Sequence, residues 1–123
     1  MSRLIIAMRW LPALAWMGVL FWLSGSPEVP GGIELSDKLE HFGVYAVLGA
    51  LLWWAAARAR ACWPAAALTC IVGALYAACD EAHQHWVRGR TADVRDWVAD
   101  VAGIAMVVLI ALALRYRRAR GDG

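Results

Sequence analysis

The stretch Asp80-Glu81-Ala82-His83-Gln84-His85-Trp86-Val87-Arg88-Gly89-Arg90-Thr91-Ala92-Asp93-Val94-Arg95-Asp96-Trp97-Val98-Ala99-Asp100 decides the fold. It holds five of the ten acids, three of the twelve bases and two of the three histidines. Uncharged apolar runs abut it on both sides, over residues 62–79 and 101–114. A dense polar hinge between two long apolar runs reads as the connection between two membrane-spanning helices.

Composition points the same way. The chain has 123 residues, 62% of them hydrophobic, with eight Trp. A soluble domain of this length could bury one core, but would be nearer half apolar. A membrane span needs about 20 mostly apolar residues to cross about 30 Å of hydrocarbon. Four blocks approach that length, over residues 10–23, 42–57, 62–79 and 97–114. With their ends they give spans of about 8–24, 38–57, 62–85 and 93–114. The expected fold is all-α, a single four-helix membrane bundle over residues 1–123. The loops leave no room for a second domain, and no repeat is visible.

Charge sets the expected orientation, because Lys and Arg collect near the cytoplasmic ends of spans. With the N-terminus inside, the inner segments hold eight bases (Arg3, Arg9, Arg58, Arg60, Arg115, Arg117, Arg118 and Arg120) and one acid, Asp122. The outer segments hold four bases, nine acids and all three histidines. Both termini are therefore expected in the cytoplasm. The basic tail directly follows a span, so nucleic acid is not an expected partner.

In chain order, residues 1–23 have a basic start and an apolar run, as a secretory leader would. The run lacks a clear Ala-x-Ala site and carries bulky Trp10, Trp16, Phe21 and Trp22, so a retained first span is favoured. Pro12 suits a first helical turn. Residues 24–36 include Pro27, Pro30, Gly31 and Gly32 and read as an irregular loop. Ser36 or Asp37 is expected to cap the second helix, on which Asp37, His41 and Tyr45 share a face. Gly43, Ala46, Gly49 and Ala50 form a small-residue stripe suited to close packing. Pro64 suits the first turn of span three, and Arg88-Gly89-Arg90 is the expected turn after it. Asp93 is the expected cap of span four. Asp93, Asp96 and Asp100 project to one side, and Gly103 would admit a neighbouring backbone. Cys62, Cys70 and Cys79 form no CxxC pattern and read as small packing residues.

Three polar segments thus converge at one end of helices two, three and four. Ionisable groups at membrane depth are costly and face a bundle interior or a wet cavity. Mutual pairing is one reading, with Lys38 and Arg90 neutralising Glu81 and Asp96. A functional site is favoured, because a small bundle could end its helices with far fewer buried charges.

The pattern Asp37-Lys38-x-x-His41-x-x-x-Tyr45, followed by Asp80-Glu81-x-x-Gln84-x-x-x-x-Gly89-Arg90-x-x-Asp93-x-x-Asp96-x-x-x-Asp100-x-x-Gly103, resembles the VanZ-like family of small bacterial membrane proteins. Ser24-Gly25-Ser26-Pro27 is similar to that family's Ser-Ser-x-Pro end of span one. The resemblance covers nearly all four spans and implies a cell-envelope setting in the bacterial inner membrane. The family's naming member is associated with resistance to the glycopeptide teicoplanin. Two departures stand out. Family members often carry Asn where Asp100 stands, which favours a polar packing role there. His83 and His85 occupy positions where the family needs no histidine.

Three functions follow. The first is a binding module for an anionic envelope lipid or lipid-linked precursor. Lys38 and Arg90 would hold phosphate, and Tyr45, Asp80, Gln84, Asp93 and Asp100 would complete the site. The second is an enzyme, with His41 as general acid or base and Glu81 or Asp96 as its partner carboxylate. The third is an accessory subunit that docks a protein partner. Metal chemistry ranks last: His41, Glu81 and Asp96 could offer ligands, but no HExxH pattern exists, and no metal or cofactor is expected.

Overall fold

The computed structural model describes residues 3–26, 34–57 and 62–121. The core of the Pro/Gly-rich loop, at residues 27–33, and the closing arginines Arg58 and Arg60 lie outside the described residues. Among the described residues there are five α-helices and no strand. They are α1 (Arg3–Met8), α2 (Leu11–Ser24), α3 (Glu34–Ala56), α4 (Cys62–Gln84) and α5 (Val94–Gly121). A turn at Arg9 and Trp10 separates α1 from α2, and Pro12 sits in the first turn of α2. Four segments among the described residues are long and apolar enough to cross a membrane: Arg3–Ser24, Ser36–Ala56, Cys62–Gln84 and Val94–Gly121.

The helix boundaries follow local chemistry, with two corrections. The α3 helix begins at Glu34, so Ser36 and Asp37 lie inside its first turn and do not cap it. An acid in a first turn suits the positive end of the helix dipole, which lets the helix start earlier. The α5 helix continues to Gly121, past the expected stop near residue 114. Arg is a good helix former, and cations favour a helix C-terminus. The arginines therefore end the apolar span without ending the helix.

Two expected junctions are present. Asp93 caps α5: its Oδ1 accepts the Arg95 backbone N–H at 2.9 Å. Gly89 adopts φ 80°, the left-handed conformation that glycine takes without steric cost, and turns the chain between α4 and α5.

Among the described helices, α3 and α5 share the most extensive contact. A Cβ at Gly103 would run into the Phe42 carbonyl oxygen and come within 3.0 Å of the Ala46 nitrogen. A Cβ at Gly49 would lie 3.0 Å from the Ile104 Cα. Small residues thus let the two backbones touch, where dispersion between closely packed helices takes over from the hydrophobic effect. Only half of the expected stripe takes part. A Cβ at Gly43 would meet nothing within 4 Å beyond its own helix, and Ala50 is exposed. Tyr45, Leu48, Leu52, Ala77 and Ile104 fill the centre, with Ala13 and Leu20 from the first span.

Outward faces are apolar: Trp22, Trp63, Leu75 and Leu109 are all more than 60% exposed. So many large exposed hydrophobes would drive aggregation in water and are at home in hydrocarbon. The two ends of the bundle differ in charge. At one end the Arg9 guanidinium lies 4.9 Å from the Trp54 ring, and that of Arg115 lies 5.5 Å from the Trp53 ring. The carboxylates gather at the other.

Candidate functional site

The acidic end is built where the N-terminal turns of α3 and α5 meet the C-terminal turns of α4. On α3, the four-residue spacing of Asp37, His41 and Tyr45 puts all three on the face toward α4 and α5. On α5, the cap Asp93 and the helical residues Asp96 and Asp100 point back at them. On α4, the last turn contributes Asp80, Glu81 and Gln84, all buried.

Lys38 is the cation of the outer layer. Its Nζ donates to Asp96 Oδ1 and, at 3.4 Å, to Asp37 Oδ2, and it lies 3.7 Å from Asp93 Oδ2. Of the two acids that the pairing reading offered, Glu81 and Asp96, Lys38 takes Asp96. Asp93 is also held by Arg95. Its carboxyl sits below the usual carboxylate range, because the Arg95 amide and guanidinium donate to it.

His41 occupies the next layer down. Its Nδ1 shares a hydrogen bond with Asp100 Oδ1 at 2.8 Å. Its Nε2 faces two further acids, Asp96 at 3.8 Å and Asp37 at 4.0 Å. Asp100 has no solvent exposure, and its Oδ2 has no hydrogen-bond partner. Tyr45 lies deeper, with its hydroxyl donating to Asp80 Oδ2 at 2.8 Å, which leaves Asp80 Oδ1 without a partner. Glu81 is 7% exposed. Its Oε2 accepts the Asp93 backbone N–H at 3.3 Å, while its Oε1 has no partner. Three deeply buried carboxylates thus each keep one unsatisfied oxygen.

Arg90 stands apart from this network. Its guanidinium donates to the Ser24 carbonyl oxygen at 3.4 Å, tying the α4–α5 turn to the end of α2. It makes no ion pair with Glu81 or Asp96, so that part of the mutual-pairing expectation does not hold. Its Nε is buried without a partner. The arrangement follows from reach: Arg90 leaves the turn on the α2 side, whereas Glu81 points toward α5.

Ser24 is a residue that side-chain chemistry alone did not single out. It is buried, and its carbonyl receives Arg90. Its signal was the Ser24-Gly25-Ser26-Pro27 ending of the first span. His83 stacks on Phe21, with ring centroids 4.2 Å apart, and His85 meets Trp86 edge-on, so neither joins the acidic cluster.

Among the described residues, two triads have ligand atoms within 4.8 Å of one another, as a metal ion would require: Asp37–His41–Asp96 and His41–Glu81–Asp100. Chemically, the end offers a histidine poised between carboxylates, a lysine committed to ion pairs and an arginine that pairs with no carboxylate among the described residues.

A family model described as VanZ/LLP1 matches residues 8–115, which takes in most of each of the four apolar segments and every residue of the acidic end. Comparison with curated proteins gives no match. Comparison with solved structures gives none either.

Proposed function

This chain belongs to the VanZ/LLP1 family of multi-pass membrane proteins, and on that premise we propose that its polar end binds an anionic envelope lipid or lipid-linked precursor. The polar end would face outward from the bacterial inner membrane, with both termini in the cytoplasm, as the segregation of bases predicts. A part in tolerance of teicoplanin-type glycopeptides fits a protein that engages a cell-wall precursor.

Arg90 carries this reading. It is a half-buried guanidinium at the membrane edge that no carboxylate among the described residues neutralises, and its buried Nε lacks an acceptor. A planar fork of donors suits phosphate oxygens, which accept two parallel bonds. Lys38 is committed to Asp96, Asp37 and Asp93, so its role is to hold α3 against α5 beside the site.

The test is retention of a polyprenyl phosphate by the protein in nanodiscs of zwitterionic lipid. Wild type should enrich the phosphate lipid over its bulk fraction. Arg90→Ala should lose that enrichment, while Arg88→Ala, altering an exposed neighbour, should keep it. Equal enrichment in Arg90→Ala and wild type would remove the basis of the reading.

The 2.8 Å contact between His41 and Asp100 favours acid–base catalysis on such a lipid as a second reading. A carboxylate that orients imidazole is what a general base requires. His41→Gln would then cost roughly two to four orders of magnitude in rate, against a modest loss if His41 only positions a ligand. Partial retention of envelope function in His41→Gln, with loss in Arg90→Ala, is the expected order.

A further inference from the structure

We propose that His41, Glu81 and Asp100 form a binding site for a divalent first-row transition ion. This inference concerns a different part of the polar end from Arg90 and stands independently of lipid binding.

Geometry comes first. One ligand atom from each of the three residues lies within 4.8 Å of the others. His41 Nδ1 and Asp100 Oδ1 are 2.8 Å apart. Two ligands each about 2.1 Å from a shared ion sit about 3 Å apart in an octahedral shell and about 3.4 Å apart in a tetrahedral one. The observed spacing matches neighbouring octahedral positions. An ion would replace the proton now between the two atoms, and that proton would leave to solvent.

The state of the carboxylates is the independent observation. Glu81 and Asp100 are 7% and 0% exposed, yet Glu81 Oε1 and Asp100 Oδ2 have no hydrogen-bond partner. Buried carboxylate oxygens are almost always satisfied, and an orphan calls for a missing partner. Charge makes the same demand. Lys38 serves Asp96, Asp37 and Asp93, and Arg95 serves Asp93. Beyond His41, no cation among the described residues is paired with Glu81, Asp100 or Asp80. Buried like charges held together are unstable unless a proton or a cation is shared between them. A divalent ion would balance two of them at once.

The surroundings fit a metal-bound histidine. His41 Nε2 faces Asp96 and Asp37 at 3.8 and 4.0 Å, and the free nitrogen of a ligating imidazole characteristically turns toward a carboxylate. One imidazole with two carboxylates selects the transition ions over Mg²⁺ and Ca²⁺, which prefer all-oxygen shells. Three protein ligands leave positions open for water or another oxygen ligand.

Mn²⁺ is the probe. The protein, purified in a neutral maltoside detergent and stripped with chelator, is titrated with Mn²⁺ while electron paramagnetic resonance reads the free ion. One ion per chain should bind, Zn²⁺ should displace it, and a large excess of Mg²⁺ should not. Glu81→Gln and Asp100→Asn, which keep the side-chain shape, should each weaken binding by about a hundredfold or more; Asp37→Asn, which removes only a residue behind the histidine, should weaken it less. Stoichiometric binding retained by Glu81→Gln would assign the ion to the Asp37–His41–Asp96 triad and overturn the proposal. The wild-type protein offers a test that needs no variant: electron spin echo modulation from bound Mn²⁺ should show one imidazole nitrogen. Its absence, or no Mn²⁺ bound at millimolar concentration, would also overturn the proposal. Neither outcome alters the expected behaviour of Arg90→Ala toward a phosphate lipid, so the two readings fail separately.

Discussion

Replacing Gly103 by alanine tests whether backbone contact between α3 and α5 holds the bundle together. The new methyl would meet the Phe42 carbonyl oxygen and, at 3.0 Å, the Ala46 nitrogen. Both are backbone atoms, so no side chain can rotate away, and the helices must separate locally. Overpacking of this kind costs about 1–3 kcal/mol, and a rigid backbone obstacle places it at the upper end. Removing a helical glycine returns about 1 kcal/mol. The net loss expected is about 2 kcal/mol. Gly43→Ala is the matched control, because nothing lies within 4 Å of its added methyl. It should gain up to about 1 kcal/mol from helix propensity alone. Reversible unfolding in mixed detergent micelles, followed by Trp fluorescence, would measure the spread of about 3 kcal/mol between the two. Separation by about 1 Å would also break the 2.8 Å contact between His41 and Asp100, which lies about one turn away. Gly103→Ala as stable as Gly43→Ala would refute close packing at this crossing.

Three further outcomes are expected. Lys38→Met strands the buried Asp96 carboxylate and should cost on the order of 3 kcal/mol, and Lys38→Met with Asp96→Leu should recover most of it; a double variant as unstable as the single would assign Lys38 another role. The Asp93 carboxyl titrates below its ordinary range, so its stabilisation of α5 is present above that range and lost as pH falls through the lowered value. The protection factors of amides at the start of α5, corrected for the intrinsic pH dependence of exchange, should fall there on acidification in wild type but stay unchanged in Asp93→Asn. A reporter fused after Gly123 should be cytoplasmic and a cysteine at Gly31 should be labelled from outside; labelling only after lysis would invert the topology.

Sequence alone determined the number of spans, the placing of acids and bases at opposite ends, the turn at Gly89 and the cap at Asp93. Each rests on a rule that acts within one apolar block or within a few neighbouring residues. Gly103 was also legible, since a glycine inside an apolar helix beside a polar turn has few uses besides close approach. Tertiary structure decided which helix faces meet. A membrane helix is apolar on nearly every side, so its pattern names no inward face. That is why Gly43 and Ala50, sharing a stripe with Ala46 and Gly49, turned out to face outward. It also decided who partners whom. Lys38 and Asp96 are 58 residues apart, and His41 and Asp100 are 59 apart. Nothing in local spacing distinguishes Asp96 from Glu81 as the partner of Lys38, or the Ser24 carbonyl from a carboxylate as the acceptor for Arg90. Those choices depend on how far each helix is rotated about its axis, and each residue turns the side chain by about 100°. Rotation is set by the close crossing of α3 and α5, where Gly103 and Gly49 bring the backbones into contact and carry Asp96 and Asp100 to Lys38 and His41.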